Sequence, residues 1–405
     1  MTYIEKGSMD YKHASIALFI GAFVTFAILY TTQPLMPVFA KEFHVSAPIA
    51  SLTLSLSTGV MAVSMLIAAS LSDLVGKKRM MVFSMFSTSI LSILTALSPN
   101  FGVLLALRAV LGVVIAGVPS IAMAYVAEEF NPSGIGNIMG LYISGTSIGG
   151  MAGRMLTGAI TDAFSWRFAI LAIGMITFVL SVLFIFLLPA PKRQMVISID
   201  DKLGWRVYLE HFKNKQLLLL IILPFLLMGS FVTIFNYIGF LLEQAPYHLS
   251  QTVIGFVFIL YLFGTFSSVY MGKKADLYGA SIVLKISICI MLMGAFTTLL
   301  PFLLGKIIGI SILTFGFFAS HSVASSWLGD FVTKDKAQAS SLYLFAYYSG
   351  SSIVGSVGGY FWQHYHWVGV IGFISILTMS ALIIVYVIER SSTVVSPYHS
   401  NVHRY

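Results

Sequence analysis

Charge is what this sequence has least of: 9% of its residues are Asp, Glu, Lys or Arg, against roughly 25% in a soluble globular chain. So few charges cannot cover a water-facing surface, which excludes a soluble domain. Cysteine is nearly absent. The single Cys289 lies in an apolar stretch, so neither a disulfide framework nor a cysteine metal site can form within one chain. There is no Walker-type phosphate loop, so uphill work must draw on ion gradients and not on ATP. The first apolar run, residues 14–39, is too long for a cleavable leader and ends in Pro34 and Pro37, which reads as a retained first helix. All 15 Asp and Glu residues fall at helix ends or in loops, and no carboxylate is expected near a membrane midplane. No metal or organic cofactor is expected, and no enzymatic activity.

What is present is apolar. Hydrophobic residues make up 58% of the chain and the mean hydropathy is +0.92. At about 20 residues per span, the length holds about a dozen spans. They are expected at 16–36, 49–71, 80–97, 104–126, 138–160 and 168–188, and again at 217–240, 253–271, 280–300, 307–327, 341–360 and 368–388. The fold class is therefore an all-α membrane protein with twelve transmembrane helices. The net charge of +8 sits mainly in the connections, which disfavours a nucleic-acid partner. With a cytoplasmic N-terminus, the outer connections hold only Lys41, Arg167 and Lys306, and Arg108, Arg154 and Lys285 fall inside spans. The rest of the 23 Lys and Arg residues lie on the inner side. That bias places both termini in the cytoplasm.

The chain divides into a six-helix bundle over 1–190, a cytoplasmic linker over 191–216 and a second six-helix bundle over 217–405. The linker carries mixed charge through Asp200, Lys202, Arg206, Glu210 and Lys215; its 205–212 stretch is either an amphipathic helix on the membrane face or a solvated loop. The bundles are copies. Phe43-His44-Val45-Ser46 matches Tyr247-His248-Leu249-Ser250, the loop at Asp73 and Gly76 matches that at Asp276 and Gly279, and Leu141-Tyr142 matches Leu342-Tyr343. The spacing is near-constant at about 200 residues, as in carriers built from parallel repeats.

The loop Ser70-Leu-Ser-Asp73-Leu-Val-Gly76-Lys77-Lys78-Arg79 resembles the signature between helices two and three of the major facilitator superfamily, although Ala69 stands where the family has a leading glycine. The resemblance implies two pseudo-symmetric bundles and a conformational latch built from these residues, with Asp276 and Gly279 in the second copy. Gly145-Thr146-Ser147-Ile148-Gly149-Gly150 resembles the helix-five motif of drug/proton antiporters, with Thr146 in place of its proline; plain small-residue packing is the other reading. Arg108-Ala-Val-Leu-Gly112 is similar to the family's intramembrane arginine motif. That resemblance implies a coupling role; an arginine snorkelling to the interface is the alternative. Together with Tyr30 to Pro37, Gly140 to Gly145 and His321 to Trp327, these motifs resemble the YnfM-like group of bacterial inner-membrane exporters.

With no midplane acid, His321 is the titratable group best placed for proton exchange, or else a structural histidine. Glu128 and Asp162 are further coupling candidates, or interfacial charges. Tyr30, Gln33, Tyr142, Phe235, Asn236, Tyr237, Tyr343 and Tyr347 form the candidate substrate set, since aromatic faces with a few amides suit amphipathic molecules. The expected function is export of small amphipathic molecules, drug-like compounds or sugars, by proton antiport. Uptake of a sugar or metabolite, or lipid flipping on the same fold, stands as the alternative. The expected partners are the substrate, protons and membrane lipid, and the chain is expected to act as a monomer in the inner membrane.

Overall fold

The computed structural model describes residues 3–131, 134–191, 214–332 and 336–395, without the side chains of 69, 70, 73, 336, 337 and 392–395. The linker, including its 205–212 stretch, lies almost wholly outside the described residues.

Local sequence explains where the helices begin and end. Ser8 opens α1 (Met9–Tyr30) by accepting from the Tyr11 amide at 3.1 Å. Pro34 has no amide to continue that ladder, so the span expected through residue 36 stops at Tyr30, and the short α2 (Met36–Glu42) restarts with Pro37 in its first turn. Then come α3 (Ala47–Val75) and α4 (Lys77–Ala96), joined at Gly76, whose φ of 102° only glycine adopts readily. The expected fourth span is broken into α5 (Phe101–Ile115) and α6 (Gly117–Glu129). Pro119 interrupts the ladder there, and Ser84 takes up the Val114 carbonyl at 2.6 Å. Next are α7 (Ile135–Ala163) and α8 (Trp166–Leu187), the latter capped by Ser165.

The second half repeats these devices. It comprises α9 (Lys215–Glu243), α10 (Gln251–Phe256) leading through one tight turn into α11 (Tyr261–Tyr278), α12 (Ala280–Thr297), α13 (Leu303–Leu328) and α14 (Lys336–Val395). In α14 the helical path breaks at His366, with φ 50° and ψ −147°, so it holds two spans. Gly279 turns α11 into α12 with φ 89°, as Gly76 does in the first copy; His44 and His248, matched in the repeat, share φ values of 52° and 49°. Among the described residues ten helical stretches are long and apolar enough to cross a membrane, one of them the 54-residue stretch of α14. The glycine-, serine- and threonine-rich α7 is not among them, yet it is as long as α3.

Packing divides the chain into two compact units. Unit 1 gathers Met1–Gly204, Thr233–Ile259 and Gly355–His364, so it takes in the C-terminal part of α9, all of α10 and a middle piece of α14. Unit 2 holds Trp205–Val232, Leu260–Val354 and Tyr365–Tyr405. Inside unit 1 the α1/α7 seam is set by three glycines one turn apart. A Cβ at Gly145 would lie 2.6 Å from the Phe19 carbonyl oxygen, one at Gly149 2.6 Å from Phe23 Cα, and one at Gly153 2.8 Å from Ala27 Cα. Hydrogen-only side chains let the two backbones touch.

Candidate functional site

The centre of unit 1 is a buried cation. Arg154, on α7 just past the glycine seam, is 1% exposed. Its guanidinium lies 3.8 Å from the Tyr30 ring centroid and 4.6 Å from that of Phe258. Such contacts offset part of the cost of holding a charge out of water. Arg154 Nε donates to Gln33 Oε1 at 2.7 Å and Nη1 to the Gly150 carbonyl at 2.8 Å. A guanidinium only donates, so Gln33 must turn its oxygen to Arg154 and its amino group onward. That group donates to Asn236 Oδ1 at 2.8 Å, and the Asn236 amino group reaches the Gly355 carbonyl at 3.4 Å, beside Tyr237, whose hydroxyl donates to the same carbonyl at 2.9 Å. One donor-to-acceptor direction therefore runs from α7 through the turn between α1 and α2 to α9 and α14. Phe235 packs against Phe258 with the rings tilted, 5.2 Å between centroids.

Five of the eight residues expected at the substrate site meet in this network: Tyr30, Gln33, Phe235, Asn236 and Tyr237. Tyr142 is buried on α7 about three turns before Arg154 and is not hydrogen-bonded into it. Tyr343 and Tyr347 belong to unit 2, where His321 Nδ1 stands 3.0 Å from the Tyr343 hydroxyl and the His321 ring is 4.7 Å from that of Tyr347 and stacked on Phe317. Arg154 and Phe258 were outside the expected set. The sequence signal for Arg154 was its charge inside a span; for Phe258, one more apolar residue in an apolar run, there was none.

Arg108 has different surroundings. Its Nε donates to the Thr53 carbonyl at 2.7 Å, and its two terminal nitrogens to the Ile28 and Leu29 carbonyls at 3.3 and 2.6 Å. These last two belong to the final turn of α1, which ends before Pro34; the Ile28 carbonyl also accepts from Thr31. Arg108 thus ties the end of α1 to α3, and neither an acid nor the interface is its partner in these bonds.

At the end of unit 1 away from the Gly76 turn, Asp162 accepts from the Gln251 amide at 3.1 Å and from the Thr252 amide at 2.6 Å. It caps the start of α10, alongside Ser250, and does not pair with Arg154, its neighbour on α7. Gly255 packs against the Arg154 carbonyl and Gly158, so α7 and α10 touch backbone to backbone along two turns. Lys41 and Glu243 pair at 2.8 Å across the same end, exposed, and contribute little.

The opposite end carries the loop signature. Lys77 pairs with Glu128 at 2.6 Å, and Lys78 donates to the Leu188 carbonyl. Arg79 is exposed. In unit 2, Asp276 is exposed as well. Asp73 lies within α3, but its side chain is outside the described residues. Ile4 is buried there, its amide donating to the Glu129 carbonyl at 2.8 Å. Among the described residues no three His, Cys, Asp or Glu side chains come together to hold a metal ion.

The family model described as Major Facilitator Superfamily matches residues 18–354. The Bacillus subtilis protein named uncharacterized MFS-type transporter YybF is 45% identical, over 94% of this chain and 95% of its own. The Escherichia coli inner membrane transport protein YnfM is 41% identical, over 94% and 92%. Among solved structures, a bacterial homologue of the human lysosomal transporter Spinster, in an inward-facing and occupied conformation, superposes with a TM-score of 0.79 at 13% identity, covering 97% of this chain and 100% of its own. The nucleoside transporter NupG gives 0.72 at 16% identity, over 93% and 98%. At such identities the structural likeness speaks to the fold alone. With the family match spanning most of the sequence and two relatives aligned almost end to end, the chain belongs to the Major Facilitator Superfamily, as a YnfM-like multi-pass membrane transporter and not an enzyme.

Proposed function

We propose that this transporter is a secondary carrier exporting small amphipathic molecules, drug-like compounds or sugars, by proton antiport and alternating access. The observation that carries the reading is Arg154, a buried cation held by aromatic faces and amide groups that come from both copies of the repeat. An ionised side chain inside a span is costly and is kept where it faces a substrate path. Tyr30, Phe258 and Phe235 offer flat apolar surface, and Gln33 and Asn236 offer hydrogen bonds, which together suit an amphipathic solute. The α7 glycine seam, similar to the antiporter motif, favours export. His321, beside Tyr343, is the proton-exchanging group of this reading, and Glu128 and Asp162 are further coupling candidates. The bundles 1–190 and 217–405 move against each other about the linker 191–216. The charge bias and the inner-membrane relative support a bacterial inner-membrane location with both termini cytoplasmic; the carrier acts as a monomer.

The test is collapse of a pH gradient in everted vesicles, offered planar cations, neutral antibiotics and sugars in turn. Export by antiport predicts that at least one of these dissipates the gradient in wild type and not in Arg154→Gln. Solute entry into right-side-out vesicles driven by an acidic exterior, with no response in everted ones, would replace export by uptake.

A further inference from the structure

In unit 2 the ends of α11 and α12 leave a cavity of about 410 Å³ beside the Gly279 turn. Its floor is Met271 and Val283, both buried, and its walls are Tyr270, Tyr278, Ile282 and Ile286, all exposed. The walls of α11 lie one or two turns apart on one stripe, as do those of α12, so the groove runs along both helices. Lys274 stands at its mouth, with its ammonium 5.6 Å from the Tyr270 ring centroid and 5.4 Å from that of Tyr278. Among the described residues Lys274 makes no ion pair, and neither tyrosine hydroxyl has a hydrogen-bond partner.

We propose that this groove binds an anionic phospholipid, with the phosphate at Lys274 and the two tyrosine hydroxyls and an acyl chain along Ile282 and Ile286. Ile282 and Ile286 are exposed on the first two turns of α12 and give the groove an apolar wall. Lys274 lies about one turn inside the end of α11, level with the Ile282–Ile286 wall across the Gly279 turn, and its flexible stem carries the ammonium toward the headgroups. Basic pockets between membrane helices take anionic headgroups, and a chain buried in the adjoining groove adds apolar contact. A zwitterionic phosphatidylethanolamine brings its own ammonium next to Lys274 and gains less. The site stands whichever solute is carried.

Native mass spectrometry of the purified full chain, equilibrated with equal phosphatidylglycerol and phosphatidylethanolamine of matched chains, tests it. Wild type is expected to retain phosphatidylglycerol about fivefold better, the ratio that one lysine's attraction for an anionic surface amounts to. Lys274→Gln abolishes the preference and Lys274→Arg keeps it. Lys273→Gln, changed at an exposed position outside the lining, behaves as wild type, and Ile286→Trp, which fills the groove, lowers retention of both lipids. Equal retention by wild type, an unchanged ratio in Lys274→Gln, or an equal loss in Lys273→Gln overturns the site.

Discussion

Two arginines buried to the same degree inside one unit have different partners, and the partners set what each variant is expected to do. Arg108 spends its donors on the Thr53, Ile28 and Leu29 carbonyls. Removing it takes the charged donor from the Leu29 carbonyl, while the Ile28 and Thr53 carbonyls keep bonds from Thr31 and Thr32, a loss of about 1 kcal/mol or more in all. Arg108→Ala is therefore expected to lower the thermal unfolding midpoint in detergent and the amount of folded protein. Arg154 is held by an amide, one carbonyl and two ring faces, groups that a solute can displace. Arg154→Gln keeps a donor for Gln33 and is expected to spare stability while cutting transport by about tenfold or more, the equivalent of about 1.4 kcal/mol. If the two variants exchange these phenotypes, the division of roles is wrong.

At the scale of elements, the α1/α7 seam depends on the absence of side chains. Gly149→Ala puts a methyl 2.6 Å from Phe23 Cα, against backbone that cannot swing aside, and is expected to cost about 1–3 kcal/mol. Gly140→Ala lies on the same helix facing open space and is expected to be neutral or to stabilise by up to about 1 kcal/mol. Thermal unfolding of the pair, side by side, separates packing from helix propensity. The Asp162 cap on α10 is a second element-scale device. Capping carboxylates contribute about 0.5–2 kcal/mol, so Asp162→Ala is expected to free the α7/α10 contact. With Cys289→Ser as background, a cysteine replacing the buried Ile254 of α10 should react faster with an impermeant maleimide in Asp162→Ala than with Asp162 intact; equal rates would leave Asp162 as an ordinary cap.

For the whole molecule, a carrier that binds solute in one folded state is stabilised by mass action. A solute at one hundred times its dissociation constant adds about 2.7 kcal/mol, so a thermal-shift screen over organic ions, neutral antibiotics and sugars should show a rise for the transported class. The rise should vanish in Arg154→Gln; a rise that survives unchanged would place the solute elsewhere.

The spans, the duplication and the matching turns at Gly76 and Gly279 were legible in the sequence, because lipid imposes long apolar runs and a positive φ calls for glycine. Breaks at Pro34 and Pro119 were marked by residue type, though the expected spans ran through them. The partners of each charge were not legible. Whether Arg108 meets a carboxylate or carbonyls, and whether Asp162 meets Arg154 or a helix start, depends on which backbone ends the packing brings within about 3 Å. Burial and hydrogen-bond direction belong to the three-dimensional arrangement of residues far apart in the chain, such as Gln33 and Asn236, and local pattern carries no record of them. The sequence by itself therefore determined the membrane, the repeat and the family; only the tertiary structure decided which buried cation is tied to backbone carbonyls and which lies between aromatic rings and an amide.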